Sequence, residues 1–90
     1  MKVVYRVHAL QRMIERKISP EEISEVIERG QTLEVYETDN PYPSELKFKI
    51  VRGRAIHIVI ASASDATYVI TAYEPKPDQW DNTFKRRKQK

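Results

Sequence analysis

The sequence predicts an α+β domain: two N-terminal helices packed on one face of a three- or four-stranded antiparallel sheet. Three observations lead there. The run Ala55-Ile56-His57-Ile58-Val59-Ile60-Ala61 is short, β-branched and bounded by Gly53 and a Ser62-Ala63-Ser64-Asp65 cluster, as a buried strand should be. The runs Leu46–Val51 and Thr67–Tyr73 also read as strands, which makes the isoleucine run central. Ahead of them lie two stretches with helical periodicity.

Ninety residues suit a single domain with a small core. The expected organisation is one domain over 1–84 and a basic mobile tail over 85–90. The net charge of +3 belongs to that tail, where Lys85, Arg86, Arg87, Lys88 and Lys90 fall; without these five the body carries −2. Nucleic-acid binding must therefore be argued from where charges sit. There is no cysteine, so disulfides and thiolate metal sites are excluded. No apolar run approaches a membrane span and the N-terminus lacks a signal pattern, so a cytoplasmic protein is expected.

Taken in order, Val3, Tyr5 and Val7 alternate and permit an extra N-terminal edge strand. A first helix is predicted over 8–17. Leu10, Met13 and Ile14, with Ala9, form its apolar stripe; His8, Arg12 and Arg16 follow at i, i+4 and i+8 as a polar one. Ser19-Pro20-Glu21-Glu22 is a capping box with proline at the first helical position. Ile23, Val26 and Ile27 give that second helix its core face, and Gly30 is expected to close it in the left-handed conformation. A strand is predicted over 32–38, then a loop over 39–44 with two prolines. Pro75 and Pro77 end pairing after the last strand, and Trp80 and Phe84 are expected to fold back on the body.

Hairpin parity decides which face His57 occupies. A three-residue turn near Gly53 puts Leu46, Phe48 and Ile50 on the face of Ile56, Ile58 and Ile60; a two-residue turn puts lysines there instead. The apolar pattern favours the three-residue solution. Lys47, Lys49 and His57 are then expected on the other face, with Thr71 and Tyr73 beside them, away from the helices.

The motif order His8-Ala9-x-x-Arg12-Met13-x-x-Arg16, Ile56-His57-Ile58-Val59, Thr71-Ala72-Tyr73-Glu74-Pro75 and Trp80 resembles a widespread family of small prokaryotic domains of unknown function. That family is distantly similar to the RelE/BrnT-type toxins. The resemblance implies a RelE-like fold, an RNA-directed, toxin-like activity and an antitoxin protein as partner.

RNA cleavage through a ribose hydroxyl needs a proton acceptor, a proton donor and cations on the phosphate. His57, His8, Arg12 and Tyr73 supply residue types for the chemistry; Arg16, Lys47, Lys49, Arg54, Lys85, Arg86 and Arg87 supply types for holding RNA. Joined to the resemblance, which implies a toxin–antitoxin pair, these residue types make the expected function a metal-independent ribonuclease, with RNA as its substrate and no cofactor. Each residue also has a plain structural use: a satisfied core histidine, a helix cap, a solvated stripe, a packing aromatic. These keep a non-catalytic nucleic-acid or protein-binding module as the alternative. Two histidines far apart, without cysteine, give no metal-ligand spacing.

Overall fold

The computed structural model describes residues 2–39 and 42–88. The chain forms β1 (Val3–Tyr5), α1 (Val7–Arg16), α2 (Pro20–Arg29), β2 (Gln31–Tyr36), β3 (Ser44–Val51), β4 (Arg54–Ser62) and β5 (Thr67–Tyr73). This is the expected α+β class with two helices, but the sheet has five strands in the order β1-β5-β4-β3-β2 and is mixed. The added edge is β1, which pairs parallel to β5 with Val3 opposite Thr67. Parallel neighbours need a long connection, and every other element lies between these two.

Local chemistry explains both helices. Ser19 accepts the Glu22 N–H at 3.1 Å while the Glu22 carboxylate accepts the Ser19 N–H at 2.9 Å, a complete capping box. Lys17 takes the left-handed conformation at the end of α1. Gly30 does not, having φ −75°. It is required for a different reason: a Cβ there would lie 2.4 Å from the Val26 carbonyl oxygen. The stripe predicted for α1 is also only half right. Ala9 and Met13 are buried, whereas Leu10 and Ile14 face solvent.

The β3–β4 turn overturns the parity argument. Val51 pairs with Arg54, so the turn has two residues, Arg52 and Gly53, both with positive φ. Such a turn matches the right-handed strand twist. It places Lys49 opposite Ile56, Lys47 opposite Ile58 and Phe48 opposite His57. Lysines are tolerated on the isoleucine face because their ends escape to α2. The Lys47 Nζ donates to the Ile27 carbonyl at 2.6 Å, and the Lys49 Nζ lies 3.0 Å from Glu25.

Each face of the sheet therefore has its own cover. Ala9, Met13, Ile18, Ile23, Val26 and Ile27 pack on Val51, Ile56, Ile58, Ile60, Val69 and Ala72. The opposite face holds Leu46, Phe48 and His57, and the C-terminal segment closes over it through Trp80, which is 2% exposed. The stretch expected to be mobile from Lys85 is folded back as far as Lys88. Trp80 and Arg87 form an antiparallel bridge, and the Lys88 N–H donates to the Gln79 carbonyl at 2.9 Å. Lys90 lies outside the described residues.

Candidate functional site

β1 pairs with Thr67–Val69, and among the described residues the outer edge of β5 has no strand neighbour beyond that point. The Arg6 N–H donates to the Val69 carbonyl at 3.0 Å, and α1 starts there and packs on β5. Between them lies a cleft of about 420 Å³. His8, Arg12 and Arg16 line it from α1, at the spacing that puts i, i+4 and i+8 on one helix flank. Thr71 and Tyr73 line it from β5, and Glu74, Lys76 and Gln79 from the segment that follows.

The cleft is cationic. Arg12, Arg16 and Lys76 face one carboxylate, Glu74, which is held by Arg54 at 3.1 Å. Arg12 makes an exposed ion pair with Glu15 at 3.1 Å, an interaction of small worth that an anion can displace. His8 is exposed. An imidazole nitrogen can accept a proton, so this wall can hold a phosphate and carry a proton acceptor beside it.

His57 is elsewhere. It is fully buried between Phe48, Tyr73 and Trp80, whose ring centroids lie 5.6, 5.3 and 4.4 Å from its own. Its Nε2 lies 2.7 Å from the Phe84 carbonyl oxygen, which can only accept, so Nε2 carries the proton. Nδ1 then accepts from the Tyr73 hydroxyl at 3.3 Å. Burial pushes the imidazole pKa below its ordinary value, against the pull of the Phe84 carbonyl. His57 is thus a neutral, fully bonded ring sealed under the C-terminal segment, and it commits the Tyr73 hydroxyl to itself.

The remaining candidates separate clearly. Arg54 donates to the Arg16 and Lys17 carbonyls at 2.9 and 3.0 Å, to Glu22 at 2.8 Å and to Glu74 at 3.1 Å. It ties the end of α1 to the start of α2 and the end of β5, and presents nothing to a ligand. Burial opposes ionisation of Glu22, but the Ser19 N–H and Arg54 outweigh it and hold its pKa down. Lys47 and Lys49 serve α2, as described above. The Lys85 Nζ sits 6.0 Å from the Phe48 ring centroid, over a second hollow lined by Arg29 and Lys49. Arg86 is exposed, and its carbonyl accepts the Asp81 N–H. Arg87 lies on the Trp80 ring and donates to Glu34 at 3.1 and 3.2 Å. That hydrogen bond is the main cause holding Glu34 below its ordinary pKa, while burial and Glu34 push Tyr36 up to about 12.

Of the eleven residues named from sequence, the cleft gathers His8, Arg12, Arg16 and Tyr73. Sequence reading missed Glu74, Lys76 and Gln79. The available signal was position: charged residues among prolines, just past a strand end, where loops carry function. Among the described residues no three His, Cys, Asp or Glu side chains form a group able to hold a metal, and no helix is long and apolar enough to cross a membrane.

No curated protein and no solved structure matches the chain. A family model described as a domain of unknown function, DUF4258, matches residues 5–74, from the end of β1 through β5 and the whole of α1, and by that match the chain belongs to the DUF4258 family.

Proposed function

We propose that the cleft between α1 and β5 binds the backbone of RNA, and that the protein is a toxin-like, RelE-like ribonuclease that needs no metal and is held in check by an antitoxin protein. One observation carries this reading: His8, Arg12, Arg16 and Lys76 line a single open cleft of about 420 Å³. His8 takes the proton from a ribose 2′-hydroxyl, and the 2′-oxygen attacks the adjacent phosphorus. The bond to the 5′-oxygen breaks, leaving a cyclic phosphate, and that oxygen takes its proton from water in the open cleft. Arg12, Arg16 and Lys76 offset the charge that builds on the phosphate.

The alternative, a module that binds RNA or protein without cleaving, is favoured by one feature. The second histidine is sealed away and holds the Tyr73 hydroxyl, so the cleft has a single imidazole and no second one to act as its partner. Loss of one such partner lowers a rate by about 10²–10⁴. The test is incubation of the full chain with single-stranded RNA and with ribosomes, followed by mapping of the RNA ends. Cleavage leaving a cyclic phosphate, lost in His8→Gln, supports the enzyme. Binding that weakens in Arg12→Ala without any cleavage supports the module. Absence of RNA binding sinks both.

A further inference from the structure

The far side of the sheet repeats the construction of the cleft. β2 begins at Gln31, which pairs with Phe48, so among the described residues β3 has no outer strand neighbour from Lys49 onward. A hollow of about 430 Å³ opens there. Arg29 from the end of α2, Lys49 from β3 and Lys85 from the C-terminal segment line it, and no described carboxylate does. Among the described residues Arg29 and Lys85 have no ion-pair partner. Lys49 faces Glu25 at 3.0 Å in a partly exposed pair, an interaction of small worth that an anion can displace.

Cleft and hollow stand at one level of the sheet. Tyr73, His57, Phe48 and Gln31 pair in a single row across β5, β4, β3 and β2. Tyr73 borders the cleft near one end of this row, and Phe48 and Gln31 border the hollow at the other. Two strand spacings, about 10 Å, separate β5 from β3. Several nucleotides can bridge that distance around the end of the sheet, where Arg52 of the β3–β4 turn is exposed.

We propose that the hollow is a second phosphate site, taken by the same RNA strand that enters the cleft; this rests on the RNA reading of the cleft. Three cations from three separate elements hold a phosphate there by charge and hydrogen bonds. Ile50, 54% exposed, adds an apolar surface to the same lining, against which a ribose or base can lie. A strand held at both edges gains affinity without any new contact in the cleft, provided it is long enough to span them.

The test compares single-stranded RNA of about three and about twelve nucleotides on wild type, on Arg12→Ala and on a double variant, Arg29→Gln with Lys85→Gln. Arg29 and Lys85 are exposed, and circular dichroism checks that the double variant keeps its fold. The long RNA should bind the double variant at least about tenfold more weakly than wild type, with a salt slope lower by about one to two. The short RNA cannot reach both edges and should bind the two proteins equally. Unchanged binding of the long RNA overturns the proposal. So does an equal loss at both lengths, which would give the hollow to a free nucleotide. Failure of the cleft reading shows separately: Arg12→Ala would keep full affinity for the short RNA, and the shared strand would fall with it.

Discussion

The His57 pocket and the His8 cleft are built from the same kinds of residue and end in opposite states. Around His57 every polar group is spoken for: Phe84 and Tyr73 take its two nitrogens, and Glu34 takes the neighbouring Arg87. Around His8, Arg16 and Lys76 line an open cleft, and Arg12 makes an exposed ion pair. The difference lies in what the chain does next. Beyond β5 it turns back over β4 and covers one histidine, while α1 stays to the side and leaves the other uncovered. Residue type does not separate a structural group from a presented one; the satisfaction of its partners does.

Substitution should separate the two regions most sharply. His57→Ala removes a buried ring and leaves the Phe84 carbonyl and the Tyr73 hydroxyl unpaired. It should cost about 3–5 kcal/mol in urea unfolding, whereas His8→Ala should stay within about 0.5 kcal/mol. Equal costs would break the contrast. Arg54→Ala comes next. It strands Glu22 and two helix-end carbonyls, and because Arg54 is partly exposed the expected cost is about 2–3 kcal/mol, at or below the range for a broken buried pair. A loss below about 1 kcal/mol would show that the node is not needed to join the helices.

Acid should act on the covered region first. His57 has a folded pKa below its ordinary value of 6.5. The unfolded chain therefore binds the proton first, so stability is full above about pH 6.5 and falls as pH drops through that value. Glu22 and Glu34 are depressed below their ordinary 4.5, so their contribution is lost in a second stage at lower pH. Urea midpoints from pH 8 down to about 2 should show both stages in the wild type and only the second in His57→Gln. The smallest effect on stability belongs to the cleft. Arg12→Ala and Arg16→Ala should each change it by less than about 0.5 kcal/mol, yet each should lower the salt slope of RNA binding by about one. An unchanged slope would place the RNA elsewhere.

Local chemistry was readable and long-range partnership was not. Thr67–Tyr73 came out with its true bounds and the capping box at Ser19 was complete, because both depend on neighbours in sequence. The flank of His8, Arg12 and Arg16 was visible from its spacing. His57 lies on the expected face, away from the helices, but Lys47, Lys49 and Phe48 were placed on the wrong faces because lysines were assumed to avoid isoleucines. Only the fold shows that Ile27 and Glu25 stand within their reach. Arg54 looked like a surface cation beside a turn, and its four acceptors come from three distant elements. The fold-back of Trp80 and Phe84 was expected, but not that they would cover His57, from outside the residues matched by the family model.

The Arg52-Gly53 turn carries a burden out of proportion to its length. Surface loops usually accept extra residues cheaply. Here one inserted residue would roll β4 over on its own axis. His57 would be driven among the isoleucine partners of α2, and Ile56 and Ile58 would be thrust against Trp80. Gly53 has empty space around it but φ +78°, so it resists side chains through its backbone angle, not through crowding. In a chain free to drift in sequence, this is a place where length should drift least.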